Sequence, residues 1–204
     1  MTRLAAVAAL GLVAACAGPA PSGPQPKAAA APTAPAPPAP AAAARAGAIE
    51  LRNAGFEAEQ PAGNTRCAPA WDCTVHGGPE SYRFYLEEGA AATGKRSLCV
   101  ERVGGEPWGL VTQAFQTSAF RGQRLRLTLS VRLEGVTGDG AGPWMLSQGG
   151  HAHAARLERG TSGWQRMTLE LAVPRDSTMV VVGATLEGPG KACFDDVRLE
   201  TVPG

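Results

Sequence analysis

Hydrophobic and polar positions alternate along much of the second half of the chain. Leucine or valine occupies every second position from 125 to 133, and arginine, threonine or serine fills the positions between them. Successive side chains of a strand point to opposite faces, so this period of two predicts a strand with one apolar face. Residues 166–173 alternate in the same way. Met179–Leu186 is nearly all apolar and predicts a strand buried on both faces.

Shorter apolar segments separated by glycine and proline predict further strands. These are Ile49–Arg52, Tyr82–Leu86, Ser97–Arg102, Leu110–Phe115, Trp144–Ser147, Ala154–Glu158 and Lys191–Glu200. Glycine pairs such as Gly104-Gly105 and Gly149-Gly150 mark turns between them. No segment has a clear apolar period of 3.6 residues. Eight to ten short strands predict an all-β domain, a β-sandwich or jelly roll.

The chain begins with a short hydrophobic segment of a different kind. Arg3 precedes the apolar run Leu4–Ala15, which is too short to cross a bilayer and is typical of a signal peptide, here residues 1–15. Beyond it, no run of 18 apolar residues occurs, which excludes a polytopic membrane protein.

Residues 17–48 have a composition that cannot form a core. They contain 15 alanines and 9 prolines in 32 positions, without an acidic or aromatic side chain. Such a segment is expected to be a disordered linker, rich in the polyproline II conformation. The sequence thus divides into a signal peptide, a linker including Cys16 (16–48) and a folded domain (49–204).

Charge is also unevenly distributed. The whole chain carries 19 Lys and Arg against 18 Asp and Glu, a formal net charge of +1. No acidic residue precedes Glu50, so residues 49–204 hold 16 basic and 18 acidic side chains, a net charge of −2. Nucleic-acid binding requires a basic face to neutralise phosphates, and we therefore expect no nucleic-acid partner.

The end of the hydrophobic run, Val13-Ala14-Ala15-Cys16, resembles a bacterial lipobox. The resemblance implies that Cys16 is lipidated and becomes the first residue of the mature protein, with the membrane as a partner through the lipid. The residue after Cys16 is Ala17 and not aspartate. In this respect the sequence resembles lipoproteins that are sent to the outer membrane, which implies a location in the cell envelope. The alternative is a signal peptide without lipidation.

Four motifs in the domain resemble jelly-roll carbohydrate-binding modules of the galactose-binding-like fold (CenC-like). They are Asn53-Ala54-Gly55-Phe56-Glu57, Gly94-Lys95-Arg96-Ser97-Leu98, Trp164 with Pro174, and Phe194-Asp195-Asp196-Val197. The domain is also similar to uncharacterised β-domains fused to bacterial hydrolases and regulators. The resemblance covers residues 49–204 and implies a domain that binds rather than catalyses.

Asp195 is the most informative acidic residue. On a regular strand it shares a face with Cys193, Val197 and Leu199, and it should therefore point inward. A buried carboxylate needs a cation or several hydrogen-bond donors. The resemblance implies a structural calcium ion between Asp195 and Glu57. The alternative is that Asp195 caps backbone amides of the N-terminal loop without a metal.

Four cysteines remain in the domain: Cys67, Cys73, Cys99 and Cys193. An even count in an exported chain favours disulfides, with three connectivities open. Cys67 and Cys73 share one loop, and the resemblance places Cys99 and Cys193 on neighbouring strands, which favours pairing 67–73 and 99–193. A zinc site is disfavoured because the CxxC spacing is missing.

Aromatic and polar residues outside the predicted core are candidates for ligand binding. Trp108 and Trp144 are expected to stack on a ligand, whereas Trp164 matches a core position of the resembled family and is expected to be structural. Tyr82, Arg83 and Tyr85 can line the same cleft. Gln113, Arg126 and Arg132 lie on predicted polar strand faces and can supply hydrogen bonds. The alternative for each is an ordinary solvated face.

We assign no catalytic residue. His76-Gly77-Gly78-Pro79 resembles the oxyanion loop of esterases, but no G-x-S-x-G motif accompanies it. His151 and His153 are two positions apart and form either a metal pair or an exposed turn.

The sequence therefore predicts a membrane-anchored, non-catalytic module that binds a glycan or similar polar envelope component on a concave sheet face or loop rim. Two alternatives stay open. A structural or adaptor lipoprotein that binds another envelope protein predicts an exposed apolar patch. A hydrolase with an unrecognised site predicts that His76, His151 or His153 converges with a carboxylate or serine.

Overall fold

Ten strands and one short 3-10 turn form the regular structure of the computed structural model, which describes residues 47–60, 67–147, 153–154 and 157–202. The strands are β1 (Ala48–Ile49), β2 (Asp72–Val75), β3 (Tyr82–Glu88), β4 (Arg96–Arg102), β5 (Gly109–Gln116), β6 (Arg124–Ser147), β7 (His153–Ala154), β8 (Glu158–Ala172), β9 (Met179–Glu187) and β10 (Lys191–Val202). The all-β prediction is confirmed. The predicted signal peptide, Cys16 and almost all of the linker lie outside the described residues. Within these ranges, no helix has the length and apolarity needed to cross a membrane.

The strands form two antiparallel layers that share β6. The layer called here the front sheet has the order β3-β4-β10-β6-β8, with β1 beside the last part of β10. The back sheet has the order β2-β5-β9-β6-β7. The first part of β6 pairs with β10, and its last part, Gly140–Ser147, pairs with β9. This arrangement is a jelly-roll β-sandwich.

The core lies between the two sheets. The alternating residues Leu125 to Leu133 of β6 are all at most 1% exposed, and Val180, Val182 and Leu186 of β9 face them from the back sheet. The predicted period-two strand is therefore confirmed. Its polar positions form the outer face of the front sheet.

β6 is longer than the sequence predicts. Residues 125–133 and Trp144–Ser147 were expected to be separate strands with turns at the glycines between them, but β6 runs through all 24 residues. Gly138 and Gly140 have φ values of 74° and 112°, which side chains with a Cβ rarely adopt. These glycines let the strand pass from one sheet to the other. The four-residue strand β2 was not predicted, because it is too short to show a period.

β10 contains a bulge between Asp195 and Arg198, where Asp196 has a φ of 48°. The bulge reverses the alternation of side chains along the strand. Cys193 therefore lies on the outer face of the front sheet, whereas Val197 and Leu199 belong to the core. The expectation that Asp195 shares a face with Cys193 is therefore kept, whereas the expectation that it shares this face with Val197 and Leu199 is wrong because of the bulge.

Both disulfides are present in the favoured pairing. Cys67 is joined to Cys73 at the start of β2. Cys99 of β4 and Cys193 of β10 are directly opposite each other in the sheet and are also joined.

Candidate functional site

Asp195 holds the loop between β3 and β4. Its carboxylate is 0% exposed, and its Oδ2 accepts hydrogen bonds from the backbone N–H groups of Ala92 and Thr93, both at 2.8 Å. Oδ1 accepts a third from the N–H of Asp196 at 2.6 Å. Asp195 is thus a backbone cap, as one alternative held, but the capped loop is β3–β4 rather than the N-terminal loop.

Glu57 caps the same loop one turn further on. Its Oε1 accepts hydrogen bonds from the N–H groups of Lys95 at 2.8 Å and Arg96 at 3.0 Å. These two bonds, that from Arg96 first, lower the pKa of Glu57. Calcium is bound by six to eight oxygen ligands, and N–H groups cannot point at a cation. Oε1 of Glu57 and both carboxylate oxygens of Asp195 accept backbone hydrogen bonds, so these two side chains act as caps of the loop; the calcium ion between them stays a prediction.

Two of the expected ligand-binding residues are buried. Gln113 faces the core side of β5 and is 3% exposed, and its amide donates to the carbonyl of Arg52 at 2.6 Å and accepts from the N–H of Arg52 at 3.2 Å. The prediction of a polar outer position for Gln113 is wrong, because β5 alternates with Val111 and Phe115 inward. Tyr82 is 4% exposed, and its hydroxyl donates to the carbonyl of Glu106 at 3.3 Å. Tyr82 is therefore not a free stacking surface.

The structure separates the two tryptophans that were expected to stack on one ligand. Trp144 pairs with Gly183 and lies on the outer face of the back sheet. Trp108 precedes β5 and has its ring edge-on to His76, with 5.6 Å between centroids. Neither lies on the front-sheet face that carries Arg132. A shared platform of Trp108, Trp144 and Arg132 is therefore ruled out.

His76 is ordered by a carboxylate. Its Nδ1 lies 2.8 Å from Oε2 of Glu106, whose Oε1 accepts a hydrogen bond from the N–H of Gly78 at 3.0 Å. The bond from Gly78, followed by that to His76, lowers the pKa of Glu106. No serine hydroxyl of the described ranges is hydrogen-bonded to His76. His151 lies outside the described residues, and only the backbone of His153 is described.

Four charged side chains meet on the outer face of the front sheet. This charge cluster consists of Glu87, Arg132, Glu134 and Lys191. Arg132 forms ion pairs with Glu87 and, at 3.3 Å, with Glu134. Lys191 bridges the same two carboxylates at 3.2 and 2.9 Å. The side chains of Lys191, Arg132 and Glu87 are 17%, 22% and 25% exposed, whereas that of Glu134 is 46% exposed.

The Cys99–Cys193 disulfide forms the floor beneath the charge cluster. Both cysteines are 0% exposed although they point to the outer face. Their sulfur atoms lie 3.6 and 3.8 Å from Oε2 of Glu87, and an Nη2 atom of Arg132 lies 3.4 Å from the Cys193 sulfur. The covalent link between β4 and β10 therefore supports the central ion pair of the cluster directly.

Aromatic side chains stand on both sides of the charge cluster. Tyr85 of β3 pairs with Cys99, and Trp164 of β8 has the Arg132 guanidinium 5.7 Å from its ring centroid. Trp164 is half-buried and lies outside the core, so the expectation of a structural core residue is wrong. The sequence held a signal for this: Trp164 has the same parity as the outward Arg166, Thr168 and Glu170.

Arg126 lies on the same outer face, six residues from Arg132. It forms ion pairs with Glu170 at 2.8 Å and Glu200 at 3.4 Å, at the opposite end of the front sheet. Both arginines occupy the polar face that the alternation predicts. Arg132 alone of the two belongs to the charge cluster.

The pKa values of Lys191 and Tyr85 are both shifted in the direction that keeps these side chains protonated, so both remain hydrogen-bond donors. Burial lowers the pKa of Lys191, but its bonds to Glu134 and Glu87 outweigh this effect, and the pKa is raised overall. Burial raises the pKa of Tyr85, so its phenol stays protonated. The face therefore presents cationic donors and carboxylate acceptors between two aromatic rings, which suits a ligand rich in hydroxyl groups.

No family model matches the chain. An uncharacterized HTH-type transcriptional regulator, YbfP of Bacillus subtilis (strain 168), is 27% identical over 127 residues, which is 59% of this chain and 42% of that protein. The chain thus spans less than half the length of the curated relative it matches.

Solved structures show the fold. The CBM22-1 xylan-binding domain from Paenibacillus barcinonensis Xyn10C superposes with a TM-score of 0.54 at 13% identity, covering 79% of this chain and 99% of that domain. The tandem CBM22-1–CBM22-2 domain of the same protein gives 0.57 at 13% identity, over 80% of this chain and 48% of that one. A further CBM 22 xylan-binding domain gives 0.51 at 16%, over 76% and 96%. The chain thus has the same jelly-roll fold as these domains.

Proposed function

We propose that this domain is a non-catalytic module that binds a carbohydrate on the outer face of its front sheet. The observation that carries the proposal is the charge cluster between Tyr85 and Trp164. The similarity of the fold to carbohydrate-binding modules supports it.

The chemistry of the face matches the chemistry of a sugar. A hydroxyl group both donates and accepts hydrogen bonds, and the face offers the carboxylate of Glu87 beside the donors of Arg132 and Lys191. The four charges are already held by one another, so little side-chain entropy is lost when a ligand joins the network. The indole of Trp164 supplies an apolar surface for sugar C–H groups.

The described surface offers less to a protein partner. Among the described residues, Val103 and Met179 are the large hydrophobic side chains classed as exposed, at 45% and 37%. Val103 follows β4 and Met179 begins β9, and these strands belong to different sheets. An apolar patch of the kind that the adaptor alternative predicts is thus not formed by these two residues.

The proposal is tested by titrating the purified full-length chain with oligosaccharides in a calorimeter, beginning with xylohexaose, followed by cello- and galacto-oligosaccharides. Trp164→Ala and Arg132→Ala should each weaken binding at least about tenfold, which corresponds to about 1.4 kcal/mol. Trp144→Ala, on the back sheet, is the matched control and should bind like the wild type. Unchanged binding in Trp164→Ala with a loss in Trp144→Ala would move the site to the back sheet. Binding of no oligosaccharide would reject the carbohydrate function.

We propose further that the lipid anchor predicted at Cys16 attaches the domain to the cell envelope, at the outer membrane, through the linker. The lipobox-like residues before Cys16 support this. In a bacterial host, labelled palmitate should be incorporated into the wild-type chain, and the labelled chain should fractionate with outer membranes. The Cys16→Ser variant should take up no label, and equal labelling of both chains would reject the anchor.

A further inference from the structure

Two loops form one end of the sandwich, which we call the tether end. The first loop, residues 117–123, joins β5 to β6, and the second, residues 173–178, joins β8 to β9. The loops are bonded to each other: the N–H of Gly122 donates to the carbonyl of Val173 at 2.9 Å, and the N–H of Val173 donates to the carbonyl of Gln123 at 2.9 Å. They therefore form one continuous surface.

The chain that leads to the predicted lipid anchor enters the domain at the tether end. The N–H of Thr201 donates to the carbonyl of Gly47, the first described residue, at 2.8 Å. Thr201 is opposite Leu125 at the start of β6, so Gly47 lies two strand spacings, roughly 10 Å, from β6. Thirty residues separate Cys16 from Gly47, and they span at most roughly 100 Å when extended. A lipid at Cys16 therefore keeps the tether end within reach of a bilayer.

Three arginines are exposed at the tether end: Arg121, Arg124 and Arg175. The Nε of Arg121 donates to the carbonyl of Ser177 at 2.8 Å, which fixes this side chain across the two loops. A Cβ atom at Gly122 would lie 3.5 Å from Cγ and 3.8 Å from Nε of Arg175, so Arg175 lies against the first loop, next to Arg121. The three side chains thus come from two loops and the start of β6 and lie on one surface.

The positive charge of this surface is incompletely compensated. Among the described residues, no carboxylate forms an ion pair with Arg121 or Arg175, and Arg124 is paired with Glu170 at 3.7 Å. Asp176 is the acidic residue of the two loops and is exposed. An exposed surface with an excess of arginine is complementary to the phosphates of anionic phospholipids.

We propose that the tether end docks on an anionic phospholipid surface, with its three arginines in contact with lipid phosphates. The inference rests on the proposed anchor, which brings the domain to a membrane, and on the two loops for the docking itself. Because the chain is already tethered, the second contact is intramolecular and a weak one is sufficient. Each arginine near such a surface favours docking about fivefold, so three arginines opposed by Asp176 favour it roughly 25-fold. Met179, 37% exposed at the start of β9, adds an apolar contact with the interface.

Docking in this way directs the charge cluster away from the membrane. Arg124 and Arg132 are eight residues apart on β6, which corresponds to about 26 Å along the strand. The part of the front face around Arg132 therefore stays open to a ligand while the tether end contacts lipid.

The test measures amide hydrogen exchange of the full-length chain on vesicles by mass spectrometry. One set of vesicles contains phosphatidylcholine alone, and the other also contains about one third phosphatidylglycerol, which is anionic. Residues 117–123 and 173–178 should exchange at least about tenfold more slowly on the anionic vesicles, whereas β3 and β4 should exchange equally on both. Inorganic phosphate in place of vesicles should not slow exchange in the loops.

The double variant Arg121→Gln/Arg175→Gln should lose this protection. Arg83→Gln/Arg159→Gln removes the same charge from exposed positions elsewhere, is the matched control and should be protected like the wild type. Thermal melting of both variants verifies that they fold. Independently of any variant, 1 M NaCl shortens the Debye length to about 3 Å and should abolish the protection of the wild type.

The outcomes separate this inference from the proposed anchor. Equal exchange of the two loops on neutral and anionic vesicles, or protection that persists in Arg121→Gln/Arg175→Gln, would overturn the docking surface even if Cys16 is lipidated. Protection by inorganic phosphate alone would assign a site for free phosphate and overturn the lipid surface. A chain that takes up no palmitate but shows protected loops would reject the anchor and support the docking surface.

Discussion

The Asp195 carboxylate is fully buried, and three backbone N–H groups take the place of water around it. Burial is the strongest influence on its pKa and raises it, while the amides of Thr93, Asp196 and Ala92 act in the opposite direction. Gln113 is held in a similar way, because its side-chain amide forms hydrogen bonds with both the N–H and the carbonyl of Arg52. These polar side chains stabilise loops, and the residues proposed to bind a ligand lie elsewhere.

Gln113→Ala should destabilise the domain, because it leaves the N–H and carbonyl of Arg52 without their partner in a partly buried position. The expected loss is about 1–3 kcal/mol in the free energy of unfolding, measured with urea. Gln116→Ala on the same strand removes an exposed amide and should change this free energy by less than about 0.5 kcal/mol. Equal effects of the two substitutions would contradict the structural role of Gln113.

At the scale of elements, the bulge in β10 and the capped β3–β4 loop belong together. The bulge turns Asp195 towards Ala92 and Thr93, and Glu57 holds the following turn of the loop from the N-terminal segment. Three segments distant in sequence are thereby fixed to one another. The same strand, β10, carries Cys193 to the floor of the charge cluster.

Glu57→Gln should make the free energy of unfolding less dependent on pH under acidic conditions. The bonds from the amides of Arg96 and Lys95 lower the pKa of Glu57 in the folded state, so its contribution is present above the unfolded pKa of about 4.3. That contribution is lost as the pH falls through the lower folded pKa. Urea unfolding at pH 7, 5, 4 and 3 should show the wild type more stable than Glu57→Gln at pH 7 and the difference shrinking below about pH 4. Glu59→Gln is the control, and a difference that grows in acid would refute the assignment.

The two disulfides should differ in both stability and binding. In the chain-entropy description, a disulfide that closes 94 residues contributes about 4–5 kcal/mol, and one that closes 6 residues contributes about 2 kcal/mol. The double variant Cys99→Ala/Cys193→Ala should therefore lose more stability in urea than Cys67→Ala/Cys73→Ala. It should also weaken oligosaccharide binding, because its disulfide supports Glu87 and Arg132. Equal binding by both double variants would show that the floor does not position the charge cluster.

At the scale of the whole molecule, the sandwich presents two outer faces of different character. The front face carries paired charges, including the balanced pairs of Glu87 and Glu134 with Arg132 and Lys191. The back face carries Trp144 near Gly183 on a sheet without a comparable cluster among its described residues. Residues 49–204 have a net charge of −2, so no strong field of one sign surrounds the front face.

This balance predicts a weak effect of salt on ligand binding. Between 50 and 500 mM NaCl, the affinity of the full-length chain for a neutral oligosaccharide should change by less than about threefold, since no net charge is exchanged on binding. Calorimetric titrations at both concentrations measure it. A tenfold fall at high salt would instead indicate an acidic ligand held by Arg132 and Lys191.

The parts of this fold that follow from local pattern were accessible in the sequence. The strand at 125–133 was predicted because its period of two is a property of neighbouring residues. The period also placed Arg126 and Arg132 on a polar face. It failed at β5, where Leu110, Val111, Ala114 and Phe115 give both faces apolar residues and hide the inward direction of Gln113. At Trp164 the period of two predicts the outer face, whereas the motif resemblance predicted a core position, and the prediction from the resemblance is wrong.

The sequence by itself determined an all-β domain, two disulfides and a hydrophobic face on each main strand, because these depend on local alternation and on the number and spacing of residues. Only the tertiary structure decided which outward residues meet. Tyr85, Cys193, Arg132 and Trp164 come from four strands, and the register of long-range pairing brings them into one row. A single-residue bulge in β10 reverses the alternation of side chains between Asp195 and Arg198, and no period in the sequence predicts it.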